Sequence, residues 1–114
     1  MSKDLEITLS NREDVTLFQI QGDITAISGE SLETAYHNAS AAGAKKILFC
    51  FNPEAYINSG GIAFLIGIAA ESQKQGQTIR ITGLSGHFQK IFNMVGLTKY
   101  TQIFPTEASA LENF

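Results

Sequence analysis

Two histidines, one cysteine and a Ser-Gly-Gly run are the residues from which this chain would have to build chemistry. A hydrolytic or group-transfer site needs a nucleophile, a base and an orienting group brought together. His37 follows Tyr36 near the polar face of a helical stretch and reads as a solvated histidine. His87 stands in the first turn of another helical stretch, between Gly86 and Phe88, where a helix-end or packing role fits best. Neither has a Cys or Asp neighbour at metal-ligand spacing, so no metal site is expected. Cys50 falls inside the apolar run Ile47-Leu48-Phe49-Cys50-Phe51, where a thiol behaves as a small inert hydrophobe. No catalytic residue is assigned, no cofactor is expected, and the chain does not read as an enzyme.

The glycines are more informative. Ser59-Gly60-Gly61 precedes an apolar helical stretch, the place where backbone N–H groups cradle phosphate in some proteins. It lacks the lysine and spacing of a P-loop, and it is not the G-x-G-x-x-G dinucleotide fingerprint. What remains is a helix N-terminus with Asn58 and Ser59 as candidate caps and the positive end of the helix dipole. Plain capping with close packing is one reading. The other is a docking or phosphorylation site at the carboxyl edge of a strand, where α/β folds place function.

Several elements must position that loop. Leu5, Ile7 and Leu9 alternate with polar residues as in a half-exposed strand, and Ser10–Asp14 is turn chemistry. Val15–Gln21 completes a hairpin, ended by Gly22-Asp23. Ser28 is placed to cap a first helix whose Leu32, Ala35, Tyr36 and Ala39 share one face, with Gly43 as its stop. Ile47–Phe51 has the unbroken apolarity of a central strand, and Gly61–Gln75 reads as the second helix. Ile79 and Ile81 mark a further strand. Ser85 caps a third helix with the stripe Phe88, Ile91, Phe92 and Val95, closed by Gly96. Tyr100–Phe104 reads as a short edge strand, and Pro105-Thr106-Glu107 opens a last helix. The expectation is one α/β domain over residues 1–114. Its mixed sheet has four to five strands, antiparallel at the opening hairpin and mostly parallel afterwards, with about four helices.

Composition bounds the partners. Eight Lys+Arg against eleven Asp+Glu give a net charge of −3, without the basic stripe that nucleic acid requires. The longest apolar stretch, Gly60–Ala70, is about half of the roughly 20 residues that span a bilayer, so membrane insertion is not expected. The single cysteine and the absence of a basic-then-apolar signal in Met1–Ser10 favour a reducing, cytoplasmic setting. Charged residues make up 17% of the chain, below the roughly 25% of an ordinary domain. Part of the deficit is local: Ala55–Ala70 carries no ionisable side chain except Tyr56. A partner that covers this neutral stretch would explain the deficit.

Tyr56-Ile57-Asn58-Ser59-Gly60-Gly61-Ile62-Ala63-Phe64-Leu65 resembles the signature loop of STAS domains, the family of bacterial anti-sigma-factor antagonists, which reads approximately Asp-Ser-Ser/Thr-Gly-Leu before an apolar helix. Gly22-Asp23-Ile24, Ile81-Thr82-Gly83-Leu84 and Phe88–Leu97 are similar to three further family segments, in the same order and between the same elements. The resemblance implies a STAS-like fold and a partner switch. An unphosphorylated antagonist binds an anti-sigma factor that is itself a serine kinase, phosphate on the loop serine breaks the complex, and a serine phosphatase restores it. It also implies partner contacts at Asp23, Tyr56, Asn58, Ser59, Gly60, Gly61 and Ile62. On the residues alone, Asp23 serves equally well as a turn residue.

The sequence departs from the family at the position that matters most. Asn58 stands at the family's acid, Ser59 at the first hydroxyl and Gly60 at the phosphoacceptor. Either Ser59 takes over as acceptor, or the domain stays permanently binding-competent. The Ser-Gly-Gly form is also similar to STAS subunits that regulate the ATPase of lipid-transport ABC systems, where the hydroxyl would be a contact residue. A small-ligand or nucleotide-binding α/β domain is the third reading. An exposed Phe64 or Ile68 would mark an interface on the second helix.

Overall fold

Right-handed crossovers between neighbouring parallel strands place every crossover helix on the same side of a sheet whose strands follow chain order. This chain has that order. The computed structural model describes residues 4–114, so the first three residues of the segment read for a secretion signal lie outside it. Five strands, β1 (Glu6–Arg12), β2 (Val15–Gln21), β3 (Lys46–Cys50), β4 (Thr78–Thr82) and β5 (Thr101–Phe104), lie side by side in the sequence β1-β2-β3-β4-β5. β1 pairs antiparallel with β2 and the remaining neighbours are parallel. The connections carry α1 (Gly29–Ala41), α2 (Ser59–Lys74) and α3 (Gly86–Met94), and α4 (Glu107–Leu111) follows β5.

The sheet divides the core in two. Phe18, Ile20, Ile47, Phe49, Ile79 and Ile81 meet Leu32, Tyr36, Leu65, Ile68, Phe88 and Phe92 of the three crossover helices. On the other face Val15, Leu17, Leu48 and Cys50 pack under Ala110 of α4, with Phe104, Leu111 and Phe114 at the margin. β3 is buried by both layers, which explains its continuous apolar run.

Four local readings of the sequence change. The first strand continues through Asn11-Arg12 into a turn at Glu13-Asp14, where Glu13 has φ 57°. Polar residues serve there because this end of the edge strand is exposed. Ser28 stands before α1 but does not cap it, because its backbone is already helical (φ −73°, ψ −20°) and its hydroxyl turns backward. α2 begins at Ser59, two residues earlier than its apolar stretch suggested, because Asn58 caps it. Val95 leaves the apolar stripe of α3 and is 43% exposed. The chain turns away at Gly96 (φ 86°) into a 3₁₀ turn that returns Leu97 to the core instead.

Candidate functional site

The loop before α2 is held by a second loop, between β2 and α1. Ile24 and Ile57 form an isolated parallel bridge, both side chains buried. The Ile24 N–H donates to Tyr56 O (2.9 Å), and the Asn58 N–H donates to Ile24 O (3.0 Å). Asp23 adds a side-chain contact, its Oδ1 accepting the Tyr56 N–H at 3.0 Å. Two loops that sequence separates by some thirty residues are thereby joined edge to edge.

Local hydroxyls stiffen the β2–α1 loop in turn. Thr25 Oγ1 accepts the N–H groups of Ile27 (3.2 Å) and Ser28 (3.1 Å). Ser28 Oγ accepts the Thr25 N–H (2.9 Å) and donates to Asp23 O (3.0 Å). Such side-chain-to-backbone bonds replace the ladder that a strand would have supplied. They hold Ala26 and Ile27 outward, and Ile27 is 87% exposed.

On the other side, Asn58 caps α2 with its Oδ1 on the Gly61 N–H (2.9 Å). Ser59 is exposed in the first turn. Gly60 and Gly61 lie against the β2–α1 loop so closely that a Cβ on Gly60 would stand 2.5 Å from the Ala26 Cβ, and one on Gly61 2.3 Å from Ile24 O. Tyr56 is 58% exposed, with its ring edge-on to Phe88 at a centroid distance of 6.0 Å. Ile62, read as a contact residue, turns into the core at 9% exposure and supports the surface from beneath.

The outer face of α2 is unusual. A surface helix normally turns polar residues to solvent. Here Ala63, Ile66, Gly67 and Ala70, spaced i, i+3, i+4 and i+7, are exposed, and the first charged residue of the helix is Glu71. Phe64 is half-buried, its ring against Gly29, and Ile68 is buried, so Ile66 carries the exposed bulk expected of one of them. Sequence reasoning missed Ala26 and Ile27. Their only signal was two apolar residues with no place in any periodic element.

The one thiol does not join this site. Cys50 is buried on the opposite face of the sheet, where burial, and secondarily Glu107, push its thiol up to about 12. Among the described residues no three His, Cys, Asp or Glu side chains gather as metal ligands would, and no helix is long and apolar enough to cross a membrane. The concavity bounded by Gly22, Asp23, Asn52, Glu54 and Ala55 holds about 20 Å³. The arrangement offers a neutral, partly apolar surface on a rigid backbone frame.

The STAS domain model matches residues 6–110. An anti-sigma factor antagonist from Mycobacterium paratuberculosis superposes with a TM-score of 0.80 at 17% identity, over 94% of this chain and 91% of that one. The Bacillus cell fate determinant SpoIIAA is similar in two structures, each 19% identical over 94% of this chain. Its unphosphorylated form gives a TM-score of 0.72 over 94% of that chain, and its phosphorylated form 0.69 over 97%.

Proposed function

The chain belongs to the STAS domain family, and on that footing we infer that it is an anti-sigma-factor antagonist that works by partner capture. Its partner is an anti-sigma factor of the serine-kinase type in the cytoplasm, with a serine phosphatase where phosphate is used. The observation that carries this reading is the exposed neutral surface running from Ala26 and Ile27 across Ser59 to Ala63, Ile66 and Ala70. A solvated helix face has no reason to lack charge, whereas a face that a protein partner desolvates does. Tyr56, Asn58 and Ser59 rim it, Gly60 and Gly61 keep its backbone low, and Asp23 holds the rim in place.

A small ligand at this loop is disfavoured by volume, since small-molecule pockets run to roughly 300 Å³ or more and the concavity beside the loop holds about 20 Å³. The concavities of about 520 and 580 Å³ adjoin the β1–β2 turn and include no residue of this loop. The chemistry available at the surface is a change of charge. Phosphate on Ser59 would add about −1.5 to −2 to a neutral contact. The free protein tolerates it beside the N-terminus of α2, while a dry interface would have to desolvate it.

Two substitutions test the surface. Ser59→Asp and Ile27→Asp each introduce a carboxylate at an exposed position, so the melting temperature should hardly move. Capture of the anti-sigma factor, followed by titration calorimetry, should weaken about tenfold or more, equivalent to about 1.4 kcal/mol. Unchanged affinity in both would mean that the partner docks elsewhere. An affinity pull-down from the native cell that returns a transporter ATPase in place of an anti-sigma factor would move the chain to the lipid-transport branch.

A further inference from the structure

Gly60 is a glycine for two reasons, and only one is the missing hydroxyl. A Cβ built on it would lie 2.5 Å from the Ala26 Cβ, 2.8 Å from its Cα and 2.9 Å from its N, distances that real Cβ contacts essentially never show. The space a side chain needs at position 60 is already filled, two of the three contacts being with backbone.

Ala26 has little room to retreat. Its loop is pinned on one side by the Ile24–Ile57 bridge and on the other by the crossed Thr25 and Ser28 hydrogen bonds. Just beyond, Gly29 backs onto the Phe64 ring, where a Cβ would stand 2.3 Å from the nearest ring atom. Gly61 meets Ile24 O in the same way. Loop and α2 therefore touch through Gly60 and Gly61, and Gly29 at the start of α1 meets Phe64 of α2. Along α2 such closeness is confined to this end, because Gly67 on the same helix has no atom within 4 Å of a built Cβ.

We propose that Ala26 is a fixed cover standing where a position-60 side chain would be, so that this docking surface has lost acceptor control at position 60 from its fold and not merely from its sequence. Restoring a serine there by one substitution does not restore a switch. The functional meaning rests on the antagonist reading above, and the steric claim does not.

Thermal melts of Gly60→Ala and Gly67→Ala, two identical changes in one helix, separate the possibilities. Overpacking at position 60 should lower the melting temperature by roughly 5–15 °C. The change at Gly67, where only helix propensity acts, should raise it by about 2–6 °C. In ¹H–¹⁵N spectra the amides of residues 24–28 should shift in the first variant and stay in place in the second. Equal melting shifts for the two variants, with residues 24–28 unmoved, would overturn the cover. Gly60→Ser should likewise take no phosphate at position 60 from the captured kinase and ATP, and stoichiometric phosphate there in a variant of unchanged melting temperature would also overturn it. Failure of the unaltered chain to capture any anti-sigma factor would instead count against the antagonist reading and leave the melting contrast standing.

Discussion

Asp23 acts on the site through a backbone amide. Its Oδ1 receives the Tyr56 N–H, and its own carbonyl receives the Ser28 hydroxyl, so one residue ties the β2–α1 loop to the rim before α2. A hydrogen bond to a charged acceptor is worth about 1.5–3 kcal/mol when buried, and this partly exposed one rather less. Asp23→Ala should therefore cost about 1 kcal/mol in urea unfolding and raise the amide exchange rate of Tyr56. Asp23→Asn retains an oxygen acceptor and should recover most of both. If Asn behaves like Ala, the carboxylate matters through its charge and not as the acceptor for Tyr56. Sequence left Asp23 divided between turn and contact, because a single acid after a glycine fits either. Its partner lies thirty-three residues away, and no local pattern carries that pairing.

At the scale of elements, strands and helices were legible where burial imposes a period. The doubly covered β3 and the caps Asn58 and Ser85 are where local chemistry placed them, and the last helix opens in the Pro105-Thr106-Glu107 segment. The far end of β1 and the loops were not legible. Ser10, Asn11 and Arg12 are all exposed, so no burial period marks where β1 ends, and the turn at Glu13 depends on a positive φ that the residue type does not announce. Around the site, the loop signature was readable while its other half, Ala26 and Ile27, was not, because only the fold brings residue 26 against residue 60. α4 shows the same dependence on distant contacts. It has five residues, too few to be stable alone, and Arg80 on β4 holds its end. The guanidinium donates to Ala110 O (2.9 Å), Glu112 O (2.7 Å) and Asn113 O (2.9 Å), and it lies 4.8 Å and 4.4 Å from the ring centroids of Phe104 and Phe114. Arg80→Met keeps the apolar stem and removes every donor. We expect a loss of about 1–3 kcal/mol and faster labelling of Cys50 by a thiol reagent, because α4 is its lid. Labelling at the wild-type rate would show that Leu111 and Phe114 hold the lid without the arginine.

The whole molecule is a sheet with two unequal sides. The helical side ends in the neutral surface proposed for docking. The α4 side buries the one thiol, held up at about 12 from an ordinary 9.0, chiefly by desolvation. That shift makes a statement about stability. The folded state keeps its proton while the unfolded chain releases one above pH 9, so the unfolded state binds fewer protons there and stability must fall as pH rises. The contribution is therefore intact below about pH 9 and is lost progressively between 9 and 12. At 1.36 kcal/mol per unit, the loss at pH 10.5 is about 2 kcal/mol. Tyr36, buried in the opposite core layer and raised from 10.0 mainly by burial, adds to the same decline at its upper end. Urea titrations at pH 7.5, 9 and 10.5 should give nearly equal stabilities at the first two and a clear drop at the third. Cys50→Ala starts lower because it removes packing, but its drop from pH 9 to 10.5 should be smaller by most of that 2 kcal/mol. A parallel decline in the two proteins would assign the alkaline sensitivity away from Cys50, and would mean that the α4 side of the sheet admits water to the thiol.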